Sequence, residues 1–203
     1  MKRRTTSALV ASVGALALVL SACEAPDGGD SQLVIGTEDL GGYNPVNGYS
    51  VDGNSPFYDG LLRLQEDPGT GQMPDLTPAL AAAEPKANED SSAWTVKLRE
   101  GVTFSDDSAF DAQDVAATYR AIIDPDSASE VVDAFRMIED IETPDESTVV
   151  FRLSEPTPTF ASRLDLGSCP ARPSKGHSGR RWSVNSEPVG TGAYVLESLT
   201  SDT

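Results

Sequence analysis

The chain of 203 residues is acidic, with 15 Lys and Arg against 32 Asp and Glu and a formal net charge of −17. Such a surface repels phosphate backbones, so nucleic acid is not an expected partner. Because 38% of the residues are hydrophobic, the chain has enough apolar side chains to build a folded core.

The first 22 residues have the layout of an export signal. Lys2, Arg3 and Arg4 form a basic start, and residues 8–20 are almost wholly apolar. A membrane-spanning helix needs about 20 apolar residues, more than this run provides. The sequence therefore predicts a signal peptide over residues 1–22.

The signal ends in a lipoprotein cleavage motif. Leu20, Ser21 and Ala22 precede Cys23 in the order of a lipobox, where the cysteine thiol accepts diacylglycerol. We expect Cys23 to be the acylated first residue of the mature protein, on the outer face of the cell membrane or in the periplasm. An ordinary secretory cleavage site beside a chance cysteine is the alternative. Since Cys169 is the only other cysteine, we expect no intramolecular disulfide.

A flexible tether is expected over residues 23–32, which are rich in Gly, Asp and Ser. The continuous apolar run Leu33–Ile35 then predicts a strand buried on both faces. Residues 37–55 are rich in Gly, Asn and Pro and predict a long loop. The folded part is thus expected to begin at Leu33.

A short helix is predicted over residues 56–64, because Phe57, Leu61 and Leu64 have helical spacing. Further along, residues 94–99 alternate apolar and polar side chains. This period of two predicts a strand that is buried on one face.

A longer helix is predicted to begin after Asp111. Asp111 can cap the free N–H groups of the first turn, and Asp114 completes a capping box in which Asp replaces the usual Glu. The helix should end at Asp124, because Pro125 disfavours helical geometry there. Its apolar face is expected to comprise Val115, Tyr119, Ile122 and Ile123.

The last predicted elements are a hairpin, a short helix and a strand. The patterns of residues 137–143 and 148–153 predict two strands joined around residues 144–147. Residues 156–164 then predict a short helix, and a return strand is expected near Tyr194.

A series of short motifs follows these elements in a recognisable order. The motifs are Tyr43-Asn44-Pro45 after the opening strand, YDGLL at 58–62, residues 74–80, WTVKLREGVTF at 94–104, DAQDVAATY at 111–119, TVVFRL at 148–153, Pro156 with Phe160, and PVGTGAY at 188–194. This order resembles the extracellular solute-binding proteins of family 5, which include oligopeptide-, dipeptide- and nickel-binding proteins. Two departures are visible, since Asp107 stands where glycine is common and Ala193 where proline is common.

The resemblance implies an α/β fold of the periplasmic-binding-protein-like type II class, in which two lobes close on a ligand. Residues 33–55 would begin the first lobe, residues 56–155 would form an inserted α+β subdomain, and residues 156–203 would return to the first lobe. The chain would then be a partial first lobe, with the second lobe missing. Most polar contacts that fix a ligand would consequently lie outside this sequence.

The implied function is that of a substrate-binding lipoprotein of an ABC importer. Such a protein captures peptides or similar small solutes and delivers them to permease and ATPase subunits, as a monomer without a cofactor and without catalysis. The alternative is a small structural or interaction lipoprotein, or a non-functional truncated remnant, with no transport role.

The predicted ligand contacts lie on the loop after the first strand. Tyr43, Asn44 and Tyr49 leave the carboxyl end of that strand, which is where open α/β sheets bind ligands. Tyrosine offers a stacking face and a hydroxyl, and asparagine offers a donor and an acceptor. The alternative is a loop that packs only on its own subdomain.

No catalytic residue and no metal site are predicted. His177 is the only histidine, so no second histidine can complete a metal set, and no G-x-S-x-G motif occurs. His177 lies in the atypical basic stretch 168–181, whose composition suggests a pair of compensating frame changes. A basic surface loop is the alternative.

Overall fold

A four-stranded antiparallel sheet packed against the longest helix organises the part of the chain that the structure describes. The computed structural model describes residues 43–47, 49, 55–65, 69–127, 129–166 and 187–198. Two short 3-10 helices lie at Pro45–Asn47 and Phe160–Arg163. The strands and α-helices are β1 (Leu62–Leu64), β2 (Leu76–Pro78), β3 (Lys86–Ala87), β4 (Ala93–Lys97), α1 (Ala112–Ile123), α2 (Val132–Phe135), β5 (Ile138–Asp145) and β6 (Thr148–Leu153).

The sheet has the strand order β3-β4-β6-β5, and β1 and β2 form a separate antiparallel pair. The register places Trp94 opposite Phe151 and Val96 opposite Val149, so the buried side chains of β4 and β6 share one face. The predicted strand near 94–99 and the predicted hairpin are confirmed. The hairpin turn is tighter than expected, because Pro144 belongs to β5, an edge strand, where proline is tolerated.

Helix α1 begins and ends as its sequence predicts. The Asp111 side chain accepts a hydrogen bond from the Gln113 N–H, and a reciprocal capping box with Asp114 is present. Asp124 leaves the helix with a ψ of 120°, as expected before Pro125. The side chains that α1 buries are Ala112, Asp114, Val115, Ala116, Thr118, Tyr119 and Ile122.

Aromatic rings join α1 to the sheet in the hydrophobic core. The Tyr119 ring lies 5.0 Å from that of Phe151 and 5.2 Å from that of Phe135, in edge-to-face geometry. The Phe151 ring in turn lies 5.2 Å from that of Phe160, which follows the sheet in sequence. The same core cluster includes Val46 and Val189, so segments before and after the sheet contribute to it.

The predicted helix over residues 56–64 is wrong. Residues 55–61 are irregular, and Leu62–Leu64 forms strand β1. The backbone carbonyls that a helix would use internally instead accept hydrogen bonds from distant segments: Pro56 from Tyr194, Phe57 from Gly192, and Leu61 from Ala79 and Ala81. Tertiary hydrogen bonding therefore overrides the helical spacing of the apolar side chains.

Two later predictions need correction. The helix expected over residues 156–164 is only the 3-10 helix Phe160–Arg163, closed by bonds such as that from the Leu164 N–H to the Ala161 carbonyl. The return strand expected near Tyr194 is absent from the described segment 187–198. The N–H groups of Gly192 and Tyr194 donate hydrogen bonds to the carbonyls of Phe57 and Pro56. These two acceptors are irregular and belong to no strand.

Several predicted features lie outside the described residues. They are the signal peptide, the lipidation site Cys23, the strand Leu33–Ile35 and the basic stretch 168–181 with His177. Across the ranges that the structure does describe, none of the helices has the length and apolarity needed to cross a membrane.

Candidate ligand-binding site

The loop that carries the predicted ligand contacts is a compact turn organised by Asn44. Its side-chain Oδ1 accepts a hydrogen bond from the Val46 N–H at 3.0 Å. Its backbone carbonyl accepts from the N–H groups of Asn47 at 3.0 Å and Tyr49 at 3.2 Å. Asn44 thus acts as the cap of the 3-10 helix, which is a common structural role for asparagine.

This turn is fixed to the body of the molecule. Pro45 and Val46 are buried, and the Ser129 hydroxyl donates a hydrogen bond of 2.5 Å to the Val46 carbonyl. The turn therefore holds the two flanking tyrosines, Tyr43 and Tyr49, in defined positions.

Four aromatic side chains form a cluster at this turn, which we call the aromatic cluster: Tyr43, Tyr49, Phe57 and Tyr58. The Tyr43 ring lies 5.4 Å from the Tyr49 ring and 5.2 Å from the Phe57 ring, both edge-to-face. The Tyr49 ring stacks on Phe57 at 6.4 Å and meets Tyr58 edge-on at 6.0 Å. These distances are the usual ones for favourable aromatic pairs.

The aromatic cluster is only partly covered. Tyr43, Tyr49 and Phe57 are half-buried, whereas Tyr58 is buried beneath them with 2% of its surface exposed. Partial burial raises the pKa of the Tyr49 hydroxyl above its usual value, and a hydrogen bond with Ser55 offsets part of that rise. The cluster therefore presents three half-buried ring surfaces to solvent.

A turn near the C-terminal end of the described chain packs against Phe57 and Tyr58 of the cluster. This glycine turn, Gly190–Gly192, runs so close to Phe57 that a Cβ at Gly190 would lie 1.9 Å from the Phe57 carbonyl oxygen. The same Cβ would lie 2.7 Å from Cδ1 of Tyr58. Real Cβ atoms do not approach other atoms so closely, so glycine is required for this contact.

Two of the three residues predicted to contact a ligand belong to the aromatic cluster, and their contact with a ligand stays a prediction. The structure brings Tyr43 and Tyr49 together, and it gives Asn44 a turn-forming role. Phe57 and Tyr58 were missed as site residues, although the YDGLL motif begins at the second of them. The only local signal for the supporting turn is its glycine spacing, which is equally typical of the entry to a strand.

The carboxylate of Asp106 forms hydrogen bonds within its own turn. Oδ1 of Asp106 accepts hydrogen bonds from the Ser108 N–H at 3.1 Å and the Ser108 hydroxyl at 2.6 Å. Among the described residues, no group of three or more His, Cys, Asp or Glu side chains is arranged to hold a metal ion.

Comparison with known proteins assigns the chain to a family. Residues 75–203 match the bacterial extracellular solute-binding proteins, family 5 middle. Protein XP55 of Streptomyces lividans is 37% identical over 207 residues, covering 96% of this chain. The periplasmic oligopeptide-binding protein OppA of Escherichia coli (strain K12) is 29% identical over 142 residues, covering 61% of this chain.

A solved structure has the same fold. The chain is similar to NikZ from Campylobacter jejuni in complex with Ni(L-His), with a TM-score of 0.68 and 26% identity over 80% of this chain. The expected periplasmic-binding-protein-like α/β fold is thereby confirmed. The chain covers 37% of XP55, 26% of OppA and 32% of NikZ, so it spans about a third of the length of these relatives.

Proposed function

Because this chain belongs to the family 5 bacterial extracellular solute-binding proteins, we propose that the protein captures a small solute for an ABC importer. The family match over residues 75–203 is the observation that carries this proposal. In the proposed process the protein closes around its ligand outside the cytoplasm and delivers it to a permease driven by ATPase subunits.

A peptide is the proposed ligand class. One relative is named as an oligopeptide-binding protein, whereas the similar solved structure holds Ni(L-His). The aromatic cluster suits a peptide, since its half-buried rings can stack on apolar side chains and its hydroxyls can bond to backbone groups. In this proposal Tyr43 and Tyr49 contact the ligand, while Asn44 shapes the turn that carries them.

The cellular placement is part of the proposal. Residues 1–22 would direct export, and acylation of Cys23 would anchor the mature protein to the outer face of the cell membrane. Residues 56–155 would be a subdomain inserted into the first lobe. Labelling cells with palmitate and comparing the protein with a Cys23→Ser variant tests the anchor, because only the unaltered protein should incorporate the label.

Ligand capture is tested by incubating the purified protein with a mixture of short peptides and identifying the retained species by mass spectrometry. Calorimetry with a retained peptide then compares Tyr43→Ala and Tyr49→Ala with the unaltered protein. Each substitution should weaken binding about fivefold, since an aromatic contact contributes about 1 kcal/mol. Tyr194→Ala is the matched control, because Tyr194 is exposed and its ring lies outside the cluster.

Equal affinity in both cluster variants would show that the tyrosines do not contact the ligand. Retention of no peptide by folded protein would contradict the peptide proposal and favour a structural or interaction role for the lipoprotein.

A further inference from the structure

We propose that Asp59 and Thr191 form a positioning pair that sets the geometry of the aromatic cluster. Asp59 directly follows Tyr58 of the cluster, and neither member of the pair contributes a ring to it. Its influence on a ligand depends on the function proposed above, but the positioning itself is a property of this chain that can be measured without a ligand.

The pair is joined by two hydrogen bonds in opposite directions. The Asp59 N–H donates to Oγ1 of Thr191 at 3.3 Å, and the Thr191 hydroxyl donates to Oδ2 of Asp59 at 3.1 Å. The two residues are 132 positions apart in sequence, and both are half-buried. A single hydroxyl therefore acts as acceptor and donor at once, which fixes both its rotamer and the register between the two segments.

The surrounding backbone leaves little freedom for any other register. The Gly192 N–H donates to the Phe57 carbonyl at 2.9 Å, and the Tyr194 N–H donates to the Pro56 carbonyl at 3.0 Å. Gly190, on the other side of Thr191, passes within contact distance of both Phe57 and Tyr58. A shift of the glycine turn would thus break these bonds or press the backbone into the two rings.

The rings transmit this constraint to the tyrosines of the loop. Phe57 and Tyr58 directly precede Asp59 in sequence, so anchoring Asp59 restricts the backbone positions from which both rings project. The ring centroids of Phe57 and Tyr43 are 5.2 Å apart, and those of Tyr58 and Tyr49 are 6.0 Å apart. The pair therefore acts through Phe57 and Tyr58 on the two side chains that are proposed to meet the ligand.

The experiment compares Thr191→Val with Thr191→Ser in protein whose tyrosines carry 13C labels. Valine keeps the shape of threonine but removes the hydroxyl, whereas serine keeps the hydroxyl and removes the methyl group. The chemical shifts of the tyrosine rings and the pH midpoint of Tyr49 are measured by NMR without ligand. Thermal melts of each variant confirm that it is folded.

Loss of the hydroxyl should shift the resonances of Tyr43 and Tyr49 and move the pH midpoint of Tyr49 towards its ordinary value of 10.0. Tyr119 is the internal control, because its ring packs on Phe135 and Phe151 in the core, away from the cluster. Thr191→Ser should resemble the unaltered protein. Asp59→Ala should shift the same two tyrosines as Thr191→Val.

A purely structural pair would give a different pattern. Thr191→Val would then lower the melting temperature and leave the resonances of Tyr43 and Tyr49 in place, which overturns the inference. Equal shifts in the valine and serine variants would also overturn it, since they would assign the effect to the methyl group. The tyrosine chemical shifts and the pH midpoint of Tyr49 are measured without a ligand. A failure of the protein to bind peptide would therefore contradict the proposed function and leave this inference unaffected.

Discussion

The carboxylate of Asp114 accepts a hydrogen bond of 2.9 Å from the backbone N–H of Asp111, three residues before it. In return the Asp111 carboxylate caps the first turn, accepting at 2.7 Å from the Gln113 N–H. Glutamate or glutamine is the usual partner in such a box, and the shorter aspartate reaches the same N–H here. The start of α1 is therefore fixed by two side chains that neighbour each other in space and in sequence.

Replacing Asp111 with alanine should lower the free energy of unfolding by about 1 kcal/mol, because free N–H groups at the start of α1 lose their acceptor. Urea denaturation followed by circular dichroism measures this loss. Asp111→Ser is the control, since serine also caps helices and should retain most of the stability. Equal losses in both variants would show that the cap contributes little.

Replacing Asp107 with glycine should stabilise the protein by up to about 1 kcal/mol, because Asp107 has a φ of 66°, a region that disfavours side chains other than glycine. Asp107→Ala should be less stable than the unaltered protein, since aspartate tolerates this region better than alanine. The midpoint of urea unfolding ranks the three proteins. A less stable glycine variant would contradict the expectation.

Replacing Gly190 with alanine should cost about 3 kcal/mol or more, because the new methyl group would overlap the Phe57 carbonyl oxygen. Gly71→Ala is an informative comparison. Gly71 has a φ of 78°, and a Cβ added there would meet nothing within 4 Å, so that variant should lose only about 1 kcal/mol. Similar losses of stability in Gly190→Ala and Gly71→Ala would contradict the close contact between the glycine turn and Phe57.

Replacing Tyr119 with phenylalanine should leave the protein as stable at neutral pH, or more stable by about 1 kcal/mol. The Tyr119 hydroxyl is fully buried, and within the described residues it has no hydrogen-bond partner. Urea unfolding at pH 7 provides the measurement. A loss of several kcal/mol would show that the hydroxyl has a partner.

The same variant should resist alkali. Burial raises the pKa of the Tyr119 hydroxyl well above its usual 10.0, so the folded protein holds this proton where the unfolded chain releases it. This group leaves the free energy of unfolding unchanged below pH 10 and lowers it as pH rises from 10 towards the raised pKa. Above pH 10 the unaltered protein should lose about 1.4 kcal/mol per pH unit more than Tyr119→Phe.

The elements that sequence predicts well are those whose signals lie within a few residues of one another. Asp111, Asp114 and Pro125 delimit α1 because capping and proline stereochemistry are local effects. The alternation in β4 and β6 is likewise visible without any tertiary information, since each strand buries one face.

Segment 55–61 shows where local reasoning fails. Its apolar spacing favours a helix, but its conformation is decided by hydrogen bonds with Ala79, Ala81 and the glycine turn, which are distant in sequence. The aromatic cluster has the same origin, since the position of Phe57 beside Tyr43 and Tyr49 depends on those distant partners. Sequence patterns contain no signal for such a contact unless the whole fold is already known.

The separation of 132 residues between Asp59 and Thr191 also bears on how the protein folds. Closing a loop of that length costs roughly 4 kcal/mol of chain entropy, whereas the β5–β6 hairpin closes almost at once. The sheet and α1 can therefore form early. The hydrogen bonds of Pro56 and Phe57 form later, because their partners Tyr194 and Gly192 are far along the chain. The aromatic cluster is consequently expected to assemble after the sheet and α1, and to open before them when the protein begins to unfold.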